Sequence, residues 1–291
     1  MPPRPSTRRS VYPPITRSVP FIAGDRLARS RNFRTPGSPR LPPGNGLTLK
    51  CILLHIARTF YYQSMQNDNI TIKVELFSDM ICPFCHIGKT LLDQALDQFD
   101  QRDQVEVSYR SFQLDPSAAR VAGETLPERE MRFHGLSRAA VRQRLGTVTA
   151  MAEAAGLAYD LDRALPVRTF DAHRLTHFAA EYGKAGELSG RLLQAYTSEG
   201  RSLADHDTLV ELAAATGLDA GQAREVLASG RYADAVRADV ARAARLGVGG
   251  VPTLVIDGYQ GISAIESPEV LVEMFRKALA RAGERACAEP R

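Results

Sequence analysis

The sequence predicts an α/β domain interrupted by a block of helices, and three observations predict it. Residues 72–76 and 105–109 alternate apolar and polar side chains, the period of a strand, with a helical pattern between them. Residues 117–230 then carry apolar positions at helical spacing almost throughout. After one further helix the chain returns to strand character at Val251-Pro252-Thr253-Leu254-Val255-Ile256.

Taken in order, Ile72, Val74 and Leu76 alternate with Lys73 and Glu75 as the first strand. A tight Ser78-Asp79-Met80-Ile81 connection leads to Cys82-Pro83-Phe84-Cys85. Ile87, Leu91, Leu92, Ala95, Leu96 and Phe99 follow at helical spacing, so a helix starts at or just after Cys82. Pro83 suits its first position, where a missing N–H costs nothing. Val105, Val107 and Tyr109 form the second strand; strand, helix, strand implies a crossover and a parallel pair. Ser137 reads as the N-cap of a helix bearing Val141, Leu145, Val148 and Met151. Further helices carry Leu175, Phe178, Ala179 and Tyr182, then Leu188, Leu192 and Tyr196, then Leu209, Leu212 and Ala213. Asp219 caps another with Ala223, Val226 and Leu227, and Tyr232 to Leu246 ends at Gly247. Gly261–Ala264 is expected to pair antiparallel with the 251–256 strand, and Ser267-Pro268-Glu269 opens a last helix through Ala282.

Charge divides the chain. Residues 1–64 hold ten Arg, one Lys and a single acid, Asp25, a net of +10, and ten of the 17 prolines. The remainder is mildly acidic, so nothing there suggests a nucleic-acid footprint. No apolar run reaches the 18 or so residues of a membrane helix, and four cysteines in 291 residues do not staple a secreted scaffold. The Arg-rich, acid-poor start fits either an organellar transit peptide or a disordered extension translated from upstream of Met65; the second reading is adopted. A secretory pattern is absent, so a soluble, cytoplasmic protein is expected, with no membrane and no nucleic acid among its partners.

The Cys82/Cys85 pair carries the chemistry. Unsatisfied N–H groups and the macrodipole at a helix start favour an anion, and Cys-X-X-Cys thiols so placed titrate at roughly 3.5–7 against about 8.5 for a free cysteine. The spacing lets a second thiol attack a mixed disulfide across one turn. Cys82 is thus the expected exposed nucleophile and Cys85 the buried resolving thiol. Other readings are half a zinc site, a haem attachment (Cys82-Pro83-Phe84-Cys85-His86 satisfies C-x-x-C-H) and a pair of inert thiols. No finger-like second pair accompanies the first, and a strand directly before the motif does not suit haem; no metal site is expected. His86 reads as a helix-surface residue. Val251-Pro252, after Gly247-Val248-Gly249-Gly250, suits a turn with an optional cis bond. Asp79 reads as an Asx-type turn residue, with proton movement at the thiols as the alternative. His173 and Arg174 line a cleft or hydrogen-bond structurally. Cys51 and Cys287 are incidental.

Phe77-Ser78-Asp79 through Cys82-Pro83-Phe84-Cys85 and Ile87-Gly88-Lys89 resembles the DsbA-like thioredoxin family, specifically its FrnE-like branch. Thr169-Phe170-Asp171-Ala172-His173-Arg174-Leu175, Glu199 to His206, and Gly250-Val251-Pro252-Thr253 through Asp257-Gly258 resemble the same branch. The resemblance implies a thioredoxin-like fold with an inserted all-helical domain, which follows the disordered N-terminal extension that composition suggests. It divides the chain into an extension at 1–69, thioredoxin parts at 70–116 and 231–283, a helical insert at 117–230 and a tail at 284–291. It implies dithiol–disulfide exchange at Cys82 and Cys85 and a cis Pro252, with Val251, Pro252, Pro83 and Phe84 as the substrate-binding surface. Val251 would offer strand-like hydrogen bonds to a peptide or thiol. No cofactor is tightly bound in this expectation; glutathione is a candidate co-substrate, and protein or small-molecule thiols and disulfides are the partners. Phe84 stands where Trp is common, and Ser263-Ala264-Ile265 replaces a Ser-Gly-Ala-Gln type of turn. Two rivals are a glutathione-dependent isomerase of the 2-hydroxychromene-2-carboxylate type, which needs no second thiol, and a redox-inactive binding or holdase module.

Overall fold

The computed structural model describes residues 70–259 and 261–288. The expectations for residues 1–69 and for the Cys287 side chain lie outside the described residues. Ile72, Val74 and Leu76 are fully buried, and so is Phe77 on the opposite face, because their strand β1 (Ile72–Ser78) is central. It pairs in parallel with β2 (Val105–Ser111), Val74 facing Val107, and antiparallel with β3 (Thr253–Ile256), Leu76 facing Leu254. The short β4 (Ile262–Ser263) continues antiparallel on β3, giving the order β2-β1-β3-β4.

Helices cover both faces. The Ile72/Val74/Leu76 face packs with Leu92, Ala95, Leu96 and Phe99, which come from helix α1 (Pro83–Asp97) and the residues after it. The last helix adds Leu271, Phe275 and Leu279 to the same layer. The Phe77/Val255 face meets Ala243 and Val248, at and beyond the end of α8 (Ala233–Arg245). Between β2 and α8 the chain forms α2 (Leu126–His134), α3 (Arg138–Ala154), α4 (Phe170–Ala180), α5 (Ala185–Thr197), α6 (His206–Ala215) and α7 (Ala220–Ala228). Ser137 caps α3 through Ala140 N–H and Asp219 caps α7 through Gln222 N–H, as their positions predict.

Three expectations are corrected. The last helix, α9 (Pro268–Ala288), runs past Ala282, because Arg285 pairs with Asp257 at 3.0 Å and donates to the Tyr259 hydroxyl at 2.8 Å. The helical region is broken by irregular stretches at 112–125 and 155–169, which contain Pro116 and Pro166; proline removes the donors a helix needs. Tyr182 lies outside α4 and is exposed, the chain turning at Gly183 with φ 69°. The dithiol residues Cys82 and Cys85 share one buried apolar cluster with the side chains of α3 to α7.

Candidate active site

Cys82 is the N-cap residue of α1, with extended backbone (φ −99°, ψ 109°), and Pro83 opens the helix. The turn is drawn tight by two bonds: Cys82 N–H donates to the Asp79 carbonyl at 3.1 Å and Cys85 N–H to the Cys82 carbonyl at 2.9 Å. Both cysteines are free thiols. The Cys82 thiol donates to the Val251 carbonyl at 3.6 Å, immediately before the cis Val251–Pro252 bond. Cys85 Sγ accepts from Asp79 N–H at 3.5 Å. Burial pushes the Cys85 thiol well above the ordinary cysteine value; the neighbouring Cys82 sulfur and the Asp79 charge push the same way.

The expectation of an exposed Cys82 is corrected. Cys82 is 1% exposed and Cys85 0%. The N-cap position seats the first sulfur on Val251, inside the cluster shared with the helical block. Attack at Cys82 Sγ therefore requires a local opening of this face.

The other four site residues surround the thiols in different ways. Val251 and Phe84 are half-buried and pack on the apolar cluster. Pro252 is buried against Gly88, where a Cβ would stand 2.9 Å from Pro252 Cγ; only glycine lets α1 lie so close. Pro83 is buried, and its carbonyl accepts the Tyr159 hydroxyl at 2.7 Å. The Ser263-Ala264-Ile265 turn uses its polar groups internally: Ala264 N–H donates to the Pro252 carbonyl and Ile265 N–H to Ser263 Oγ.

His86 is not on the surface. It is buried, its ring stacks on Tyr159 at 5.7 Å, and Nδ1 lies 2.9 Å from Thr197 Oγ1. Thr197 Oγ1 also donates to the Leu193 carbonyl, so Nδ1 carries the proton shared between them. Burial and the nearby Lys89 charge lower its pKa to about 4, which keeps the ring neutral at physiological pH. Tyr159, which no sequence signal singled out, sits near both sulfurs; burial and their charge raise its hydroxyl above the usual range, so it stays a neutral donor.

The Asp79 side chain bonds a loop N–H, but not within its own turn. Its Oδ2 accepts from Leu114 N–H, 35 residues along, at 2.7 Å. Its Oδ1 lies 3.5 Å from His173 Nε2, both side chains buried. Arg174 points away from the thiols and is structural: Nε donates to the Arg231 carbonyl, Nη2 to the Ser229 and Val226 carbonyls and Nη1 to Asp171, tying the end of α7 to α4. Among the described residues no group of three His, Cys, Asp or Glu side chains is placed to hold a metal ion, and no helix is long and apolar enough to cross a membrane.

Comparison with known proteins agrees with this architecture. The family model described as a DSBA-like thioredoxin domain matches residues 73–280. The crystal structure of a probable DsbA oxidoreductase from Streptomyces coelicolor is 38% identical, covering 72% of this chain and 90% of that one, with a TM-score of 0.68. The uncharacterized protein YwbO of Bacillus subtilis (strain 168) is 28% identical over 190 residues, 64% of this chain and 88% of that protein. A 2-hydroxychromene-2-carboxylate isomerase shares the fold, at 15% identity and TM-score 0.51 over 75% of this chain and 100% of that one. The parallel–antiparallel sheet, the dithiol at the helix start and the matched span together make the chain a member of the DSBA-like thioredoxin domain family.

Proposed function

We propose that the protein is a thiol–disulfide oxidoreductase that cycles Cys82 and Cys85 between dithiol and disulfide. One observation carries the reading: two free thiols at the start of α1, one on the Val251 carbonyl and the other sealed behind it beside Asp79.

The helix end presents N–H groups to negative charge developing at Cys82. Cys82 thiolate attacks one sulfur of a substrate disulfide. That S–S bond breaks, its other sulfur leaves with the electron pair and takes a proton, and a mixed disulfide forms. Cys85 then gives its proton to the Asp79 carboxylate and attacks Cys82 Sγ. The substrate sulfur departs with its electron pair and a proton, and the Cys82–Cys85 bond closes. The substrate gains two electrons and the dithiol loses two. A small thiol such as glutathione returns the pair by the same steps reversed. Val251, Pro252, Pro83 and Phe84 face the substrate, the Val251 backbone pairing with it in strand fashion. A glutathione-dependent isomerase has no use for a resolving thiol, and the retained Cys85 favours the redox reading.

The test uses 5,5′-dithiobis(2-nitrobenzoate) with the full chain in a Cys51→Ser, Cys287→Ser background, beside insulin reduction. The intact pair releases two thionitrobenzoates, the first on attack by Cys82 and the second on attack by Cys85. Cys85→Ser stops after one, leaving a mixed disulfide visible by mass spectrometry, and Cys82→Ser abolishes insulin reduction. Insulin reduction undiminished in Cys82→Ser overturns the reading.

A further inference from the structure

Behind the dithiol lies a buried acid–base pair that the fold leaves incomplete. Asp79 Oδ2 is satisfied by Leu114 N–H, but Oδ1 has no hydrogen-bond partner, and neither has His173 Nε2. The two unsatisfied atoms stand 3.5 Å apart, and both side chains are at most 1% exposed. Leaving two such groups unbonded in the interior is costly, and native structures rarely do so without a use for them. We propose that His173 is a positioning residue for the resolving step: its Nε2 faces the Asp79 carboxylate at 3.5 Å and accepts the Oδ1–H that forms when the carboxylate takes the Cys85 proton. This rests on the oxidoreductase reading above.

Three observations support it. The residue whose N–H meets Cys85 Sγ is Asp79 itself, so its carboxylate is built onto the resolving thiol's immediate support. His173 is supplied by α4, from the helical block, and its neighbours on that helix are engaged elsewhere. Asp171 pairs with Arg174 and His206, and His177 pairs with Asp239 and Ser111. Cys85 Sγ and the Cys82 N–H meet the Asp79 main chain, and the Leu114 N–H from the 112–125 stretch meets its carboxylate. Finally, 3.5 Å is long for a hydrogen bond but close enough for one to form when a proton arrives between the two atoms. As Cys85 surrenders its proton, Oδ1 and Nε2 close around it. The proton is then passed to the departing substrate sulfur, so none is gained or lost overall.

The two-release experiment isolates this step, because Cys82 drives the first release and Cys85 the second. In the same background, Asp79→Asn and His173→Asn slow the second release by roughly tenfold or more while the first stays within about twofold. His173→Gln restores most of the second rate, because a glutamine amide reaches the place of Nε2 and an asparagine amide does not. A carboxylate that only repelled the Cys85 thiolate gives the opposite sign, a faster second release in Asp79→Asn, and that result overturns the proposal. So does a second release unchanged in His173→Asn, or two releases that fall together in every variant. If His173→Asn does not fold, the ring ¹⁵N shifts of His173 in the wild type decide: they move when the dithiol is oxidised, and shifts that stay fixed overturn the proposal. Failure of the oxidoreductase reading looks different, since the unmodified pair then yields no second release at all.

Discussion

On one face of the sheet Glu75, Arg110, Asp239, Arg242 and His177 satisfy one another; behind the dithiol, Asp79 and His173 do not. Glu75 accepts Arg110 Nε at 2.7 Å and Arg242 Nη2 at 2.5 Å. Asp239 accepts Ser111 N–H at 2.9 Å, with His177 Nε2 at 3.0 Å and Arg110 Nη1 at 3.3 Å. That network ties β1, β2, α4 and α8 together with every carboxylate partnered. The same residue types near Cys85 are left one contact short. The difference is one of completeness: a completed network contributes to stability, and the incomplete pair leaves two buried polar atoms unsatisfied, the observation on which the proposal for His173 rests.

The comparison predicts that damage to the first cluster costs stability and spares the ratio of the two thiol releases. The largest stability effect, however, belongs to the thiol end and is driven by pH. His86 has a folded pKa of about 4 against an ordinary 6.5. The unfolded chain therefore takes the proton first, and stability, complete above pH 6.5, drains away as the pH falls toward 4, by about 3 kcal/mol in all. Urea unfolding across that window should show the slope in the wild type and a much shallower one, confined to the acid end, in His86→Phe, which keeps a ring against Tyr159. A slope that survives the substitution undiminished assigns the effect to another group.

A smaller loss is expected from Glu75→Gln. Arg110 and Arg242 are about one-third exposed and recover some hydration, so the cost is about 2 kcal/mol rather than the full penalty of a broken buried pair. Burial opposes ionisation of Glu75, but hydrogen bonds and charge from Arg242 and Arg110 outweigh it and hold the carboxyl below its ordinary 4.5. The stabilisation is accordingly complete above that value and lost as pH falls through the lower, folded one. An altered ratio of thiol releases in Glu75→Gln would break the comparison. The smallest effect is that of Tyr159→Phe, which removes one hydrogen bond to the Pro83 carbonyl and costs about 1 kcal/mol in thermal unfolding. No change at all would mean that the hydroxyl does not hold the start of α1 in solution.

Much of this fold is legible along the chain. The alternation in β1 and β2, the helix beginning at Pro83 and the caps at Ser137 and Asp219 are local signals, and each is found where the pattern puts it. The dithiol is legible for the same reason, since three residues of spacing at a helix start bring two thiols to one turn. The exposure of Cys82 and His86 is not, because it depends on what packs against the start of α1 from residues far along the chain. Leu114 and His173 reach Asp79, and Tyr159 reaches Pro83, from parts of the chain that no spacing relates to the dithiol.

The amino-acid sequence by itself determined the order of strands and helices and the pair of cysteines at a helix start, since these follow from backbone donors, side-chain period and short-range spacing. Only the tertiary structure decided which groups lie around the sulfurs, how deeply they are buried and which polar atoms go without a partner. Solvation and charge depend on distance through space, and Asp79 and His173, which face each other at 3.5 Å, stand 94 positions apart in the chain.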